Sequence, residues 1–228
     1  MLEMKSWKHV FKLDPDKSIS DEALEAICES GSDAVIVGGT YGVTFDKTID
    51  LLARIRRYAI PCLLEISNQE AIVPGFDHYL VPIVLNAMNP NWILKPHHIA
   101  VQEFGTMIPW HEISTVGYTV LNPESSVAQL TESETELNED EIIAYARLSH
   151  HLLKSSYFYL EYSGTLGDPQ KLSGVYERLK REGSLHIFYG GGITSKEQAE
   201  EMSKIADTIV VGNLIYKDLD TAIRTVPK

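Results

Sequence analysis

Eight short apolar runs, spread along the chain and separated by stretches of helical period, restrict this sequence more than any other feature. Ala34-Val35-Ile36-Val37 and Thr208-Ile209-Val210-Val211 are apolar almost without interruption. A strand with one wet face alternates polar and apolar residues, whereas a continuous run needs cover on both faces, as a parallel sheet flanked by helices provides. The expected strands are 9–14, 34–38, 62–67, 79–85, 115–121, 157–162, 186–189 and 208–212. Helical spacing predicts segments at 21–30, with Leu24, Ile27 and Cys28 on one face, and at 45–58, with Ile49, Leu52, Ala53 and Arg56 aligned. Further helices are expected at 91–104 and at 139–153, the latter with Ile142, Ile143, Ala146 and Leu153. A fifth opens at Asp168-Pro169, where Asp caps free amides and Pro has none to satisfy. Thr194 and Glu197 have capping-box spacing and open a sixth, and 217–224 is the seventh.

Eight strands alternating with seven helices predict a closed parallel (β/α)8 TIM barrel, one domain over residues 1–228. The missing helix falls between strands three and four, where 68–78 is brief and holds the breaker pair Pro74-Gly75. The rival topology, a doubly wound open sheet, would carry Gly-x-Gly-x-x-Gly after its first strand; here the glycine clusters come late.

The formal charge is −12, from 32 acidic and 20 basic side chains, and the densest basic run is Arg54-Ile55-Arg56-Arg57. That argues against nucleic acid, which asks for a basic face. Cys28 and Cys62 sit in apolar stretches with no zinc spacing and are expected as buried, reduced thiols. Met1 to Lys12 has no signal-peptide pattern, and no uncharged apolar run approaches the ~20 residues of a membrane span. A soluble, cytoplasmic protein is expected, free to touch a membrane from outside.

Candidate chemistry gathers at the C-terminal ends of the strands, where barrels of this kind place their sites. Gly190-Gly191-Gly192-Ile193-Thr194 follows strand seven and precedes a capped helix, so free amides and a helix start converge there. Gly212-Asn213 follows strand eight in the equivalent place. Together they match the common phosphate site of barrels, although a tight turn without ligand has the same composition. On strand six, alternation puts Tyr159 and Glu161 on one face and Leu160 and Tyr162 on the other. Glu161 is either a proton acceptor in the barrel mouth or a salt-bridged rim residue. Ser163 and Gly164 continue into the loop with a hydroxyl and an amide. Lys12 and Asp14 share a face of strand one and either pair with each other or serve a phosphate and Mg²⁺, with Thr40 after strand two as a further oxygen.

Phe11-Lys12-Leu13-Asp14-Pro15-Asp16-Lys17, Val37-Gly38-Gly39-Thr40, Tyr159-Leu160-Glu161-Tyr162-Ser163-Gly164, Tyr189-Gly190-Gly191-Gly192-Ile193 and Val211-Gly212-Asn213 occur in this order. In these five motifs the chain resembles the geranylgeranylglyceryl phosphate synthase family, specifically its bacterial PcrB branch, from end to end. The resemblance implies a (β/α)8 barrel without helix three and a prenyltransferase. The enzyme would join sn-glycerol 1-phosphate by an ether bond to a long prenyl diphosphate, heptaprenyl (C35) in this branch, and release diphosphate. It implies glycerol phosphate held by Lys12, by Tyr159, Leu160, Glu161, Tyr162, Ser163 and Gly164, by Gly190, Gly191 and Gly192, and by Gly212 and Asn213. Glu161 and Tyr159 would be catalytic, with Mg²⁺ on Asp14 and Thr40; position 40 is often serine in the family. It also implies a homodimer and peripheral membrane contact; the lipid tail is expected to pass the helix near Ile99-Ala100-Val101, where the small Ala100 side chain would not block it. Two other readings remain open: another phosphate-binding barrel enzyme, such as a sugar-phosphate isomerase or synthase, and a non-catalytic phospholipid carrier.

Overall fold

The computed structural model describes residues 3–183 and 185–227. Its eight strands are β1 (His9–Leu13), β2 (Ala34–Val37), β3 (Cys62–Glu65), β4 (His78–Val84), β5 (Ile113–Val120), β6 (Tyr157–Glu161), β7 (His186–Gly190) and β8 (Thr208–Val211). All pairings are parallel, in sequence order, and β8 closes on β1. The expected barrel is therefore present, and each expected strand is found within two residues of its bounds.

Side-chain alternation divides the apolar residues into two bodies. Val10, Ile36, Leu63, Val116, Tyr159, Phe188 and Val210 point into the barrel, while Phe11, Val35, Leu64, Leu160, Tyr189 and Ile209 pack outward under the helices. Both faces of each strand are buried, which is why the runs carry almost no polar residues. Cys28 and Cys62 are free and buried in the outer body.

The helices are α1 (Asp21–Cys28), α2 (Phe45–Ile55), α3 (Lys95–Phe104), α4 (Ser126–Thr131), α5 (Glu139–Arg147), α6 (Pro169–Glu182), α7 (Lys196–Met202) and α8 (Leu219–Arg224). Between β3 and β4 the chain forms only a 3-10 turn, Gln69–Ala71. β3 and β4 pair through just three residues each, ending at Glu65 and Leu80. Pro82, which has no amide to donate, then sits where β3 has already ended. α3 leans over this weakened flank, with His97 Nε2 3.1 Å from the Pro82 carbonyl and the Gln69 amide donating to the Pro96 carbonyl at 3.4 Å.

Several local expectations need correction. In α2 the buried face is Thr48, Leu51, Leu52 and Ile55, and Ile49 faces out. The spacing of Ile49, Leu52, Ala53 and Arg56 is equally helical, but the other face carries more apolar area, and Thr48 is buried with its hydroxyl bonded to the Thr44 carbonyl. α5 ends at Arg147 and continues as a π-helical turn, Leu148–Leu152, which rotates Leu153 out of the buried stripe. α4 was not foreseen, being under two turns long. α7 is capped by Ser195 rather than Thr194, because the Gln198 side chain takes the Thr194 amide and hydroxyl instead.

Candidate active site

A cleft of about 460 Å³ opens at the C-terminal ends of the strands. Lys12 and Asp14 reach it from the end of β1, Gly39 and Thr40 from β2, and Tyr159, Ser163 and Gly164 from β6. Gly190, Gly191 and Gly192 enter from β7, and Gly212 and Asn213 from β8. Residues distant in sequence are thus gathered because every parallel strand ends at the same rim.

The three glycines after β7 are required by protein neighbours. A Cβ on Gly190 would collide with the Tyr159 hydroxyl, one on Gly191 with the Tyr162 backbone, and one on Gly192 with the backbone of Thr165 and Leu166. Gly191 and Gly192 also have positive φ, 148° and 61°, which glycine alone adopts freely. Glycine is thus required here by packing as well as by any ligand: it lets the loops after β6 and β7 interlock. The interlocking leaves the amides of Gly192 and Ile193, two residues that line the cleft, without a protein acceptor among the described residues.

Tyr159 is 3% exposed, and its hydroxyl, set against Gly190, has no hydrogen-bond partner among the described residues. Glu161 lies beneath the lining, also 3% exposed, with Oε1 accepting from the Ser163 amide at 2.6 Å. Burial pushes the Glu161 carboxyl above the usual carboxylate range, against the opposing pull of Lys12 and of hydrogen bonding from Ser163. Burial and the neighbouring carboxylates raise the Tyr159 hydroxyl well above its ordinary range, so it stays a donor. Leu160 and Tyr162 belong to the outer core. Their side chains do not line the cleft, and only their backbone could serve a ligand.

Lys12 does not pair with Asp14. Its Nζ reaches Glu65 Oε1 at 2.6 Å, and the second Glu65 oxygen takes a short hydrogen bond from Tyr118. Burial disfavours the Lys12 charge, but Glu65, Glu161 and Asp14 more than offset this and raise its pKa. The Asp14 amide donates to the Tyr216 hydroxyl at 2.9 Å, tying the loop after β1 to that after β8. Lys17 Nζ makes a second tie, to Asn213 Oδ1 at 2.7 Å. The Asp14 carboxylate lies over Gly39, where a Cβ would strike it.

Glu65, Tyr118, Lys17 and Tyr216 were missed by sequence reasoning. For Glu65 the signal was available: it is a lone carboxylate at the end of a strand, on the same face as the inward Leu63, the rule that picked out Glu161.

Fold and cleft together define a (β/α)8-barrel protein whose open end offers an ammonium and free amides to an anionic ligand, with buried carboxylates beneath them. Within that class the chain belongs to the PcrB family, whose model matches residues 2–228. It is similar to the heptaprenylglyceryl phosphate synthase of Geobacillus kaustophilus, 56% identical over 226 residues covering 99% of this chain and 93% of that protein. The heptaprenylglyceryl phosphate synthase of Brevibacillus brevis is 54% identical over 226 residues, 99% and 96% of the two chains. In fold it is similar to (S)-3-O-geranylgeranylglyceryl phosphate synthase from Thermoplasma acidophilum, solved with its substrate sn-glycerol-1-phosphate. That likeness has a TM-score of 0.81 at 20% identity and covers 97% of this chain and 93% of the other.

Proposed function

We propose that this protein is a prenyltransferase that joins sn-glycerol 1-phosphate to a long-chain prenyl diphosphate through an ether bond and releases diphosphate. The observation that carries this reading is the pair of buried groups that share the inner face of β6 beneath the glycine loops: the Tyr159 hydroxyl, unpartnered among the described residues, and the Glu161 carboxylate. A polyol phosphate anchored on the Gly192 and Ile193 amides, with Lys12 and Asn213 beside it, would present a hydroxyl to both. Glu161 takes the hydroxyl proton, the freed oxygen bonds to the allylic carbon, and the carbon–diphosphate bond breaks with its electron pair on the leaving group. Tyr159 donates a hydrogen bond that orients the glycerol.

The donors Asp14 and Thr40 fit Mg²⁺. Both offer hard oxygen at the cleft, and among the described residues no cluster of three His, Cys, Asp or Glu could hold a metal unaided. A carboxylate and a hydroxyl suit a cation shared with a diphosphate. Bound there, Mg²⁺ would neutralise charge growing on the leaving diphosphate.

The tail is proposed as heptaprenyl, on the likeness to relatives of that name, and passes under α3 along the flank that lacks a helix. Burial contributes ~0.8 kcal/mol per CH₂, so a long apolar path binds a long tail firmly. No helix among the described residues is long and apolar enough to cross a membrane. A cytoplasmic homodimer that meets the bilayer from outside is the proposed assembly, and Leu94, Met107 and Trp110, exposed at the two ends of α3, suit contact with lipid.

The test incubates the protein with Mg²⁺, sn-glycerol 1-phosphate and radiolabelled prenyl diphosphates of several lengths, followed by butanol extraction. Label in ether lipid is expected, and Glu161→Gln should lower kcat by roughly 10²–10⁴ while retaining glycerol phosphate binding. No labelled ether with any tail length would reject the proposal.

A further inference from the structure

Two carboxylates are buried at the open end of the barrel, and the reaction proposed above uses only one as a base. The other is Glu65, the last residue of β3, 7% exposed. Both oxygens of Glu65 are engaged, one by the Lys12 ammonium at 2.6 Å and one by the Tyr118 hydroxyl. Lys12 stands on β1 and must cross β2 to reach β3. The residue at the crossing is Gly38, where a Cβ would press on Glu65 Cβ at 2.9 Å and Oε1 at 3.3 Å. Glycine therefore keeps the crossing open for this ion pair.

The second hand of Glu65 leads to Tyr159. The Tyr118 ring lies nearly parallel to the Tyr159 ring, with centroids 4.4 Å apart and planes 9° apart. Phe188, level with Tyr159 on the next strand, continues the stack at 6.2 Å and 14°. Lys12 Nζ is 5.9 Å from the Tyr159 centroid. The Tyr118 hydroxyl has no other hydrogen bond among the described residues to fix the ring's place in the stack. One side chain thus grips both the cation that faces the cleft and the ring against which the substrate-facing tyrosine lies. Glu65 itself does not line the cleft.

We infer that Glu65 is a positioning residue of the prenyl-transfer site, acting on glycerol phosphate through Lys12 and on Tyr159 through Tyr118. The inference rests on the function proposed above. A carboxylate with both oxygens satisfied is a poor base, and its place behind Lys12 and Tyr118 keeps it off the substrate. Its contribution is to immobilise donors in advance, so that less ordering is left to substrate binding.

The test is steady-state kinetics with each substrate varied in turn. Glu65→Gln keeps the volume and removes the charge. It should lower kcat about tenfold and raise KM for sn-glycerol 1-phosphate several-fold, as expected for the loss of one charge-assisted hydrogen bond. KM for the prenyl diphosphate should not move. In a Lys12→Met, Tyr118→Phe background the same substitution should add less than about twofold, because its two routes to the substrate are already cut. Tyr118→Phe alone removes one hydroxyl and keeps the stack; it should lower kcat and leave both KM values in place, which keeps the inference testable if Glu65→Gln does not fold. An undiminished Glu65→Gln effect in the double background, or equal shifts in both KM values, overturns the inference. A wild-type protein that forms no ether sinks the proposed function instead. Calorimetry with sn-glycerol 1-phosphate then still reads the grip of Glu65 on Lys12, as a several-fold weaker affinity in Glu65→Gln or as none.

Discussion

Gly190 illustrates how a residue can be chosen for a reason its neighbours in sequence do not reveal. In the chain it opens a run of three glycines and reads as part of a ligand loop. In the fold it is the one position on β7 that lets the Tyr159 ring stand upright from β6, its hydroxyl against the glycine backbone. Gly190→Ala should tilt or expel that ring. The expected cost is about 1–3 kcal/mol of stability, the usual range for overpacking, and a larger loss in kcat, about 100-fold, since a displacement near 1 Å is enough for that. Urea denaturation and steady-state kinetics measure the two separately; a variant with wild-type kcat would show that Tyr159 placement does not matter. Lys12 makes the same point about charge. Residue types and strand parity put it in the mouth beside Asp14, but its partner is Glu65, 53 positions along the chain.

At the scale of elements, α3 stands apart because none of its residues is buried. Its half-buried residues, Pro96, His97, Ala100 and Phe104, recur at helical spacing and turn toward the flank where β3 and β4 separate. A loosely seated helix over an incomplete wall is suited to pass a lipid tail. Ala100→Trp would fill that space, and the expected outcome is a shorter preferred prenyl diphosphate in competition assays, read by chromatography of the products; unchanged product length would discard the path. α5 is the opposite case, an element secured by its own ends. Asn138 accepts from the Glu141 amide at 3.1 Å and its amide donates to the Glu141 carboxylate at 2.7 Å. Asn138→Ala should cost ~1 kcal/mol with activity intact, visible as a lower urea midpoint at unchanged slope. Strands and long helices were legible because each carries many repeats of its period. α4 was not, since six residues hold under two turns, and neither was the π turn after α5, which slips the register without altering composition.

The whole molecule separates its two ends by chemistry. The open end holds the charged network, while near the other end His9 on β1 and His186 on β7 are buried and hydrogen-bonded to hydroxyls. The His9 ring lies 3.0 Å from Ser32 Oγ and 2.9 Å from Thr225 Oγ1, and His186 lies 2.8 Å from Thr208 Oγ1. Burial lowers each to about 4. In the unfolded chain a histidine takes its proton near pH 6.5, so below that value the unfolded state binds more protons and native stability falls. The loss runs from about pH 6.5 down to the folded values near 4 and then levels off, on the order of 3 kcal/mol per histidine. Urea midpoints at pH 7, 5.5 and 4.5 should decline steeply, with a smaller decline in His9→Gln; a flat series would show that these rings protonate freely in place. What the chain alone determined was local: which runs are strands, that both their faces are covered, that no long helix joins β3 to β4, and which loops carry glycine. Those properties follow from residue periodicity, and periodicity reports burial. Only the tertiary structure decided that Lys12 crosses to Glu65, that Tyr118 backs Tyr159 and that the glycines after β7 admit protein before ligand. Such contacts depend on the stagger of strands around a closed barrel, which no single segment encodes.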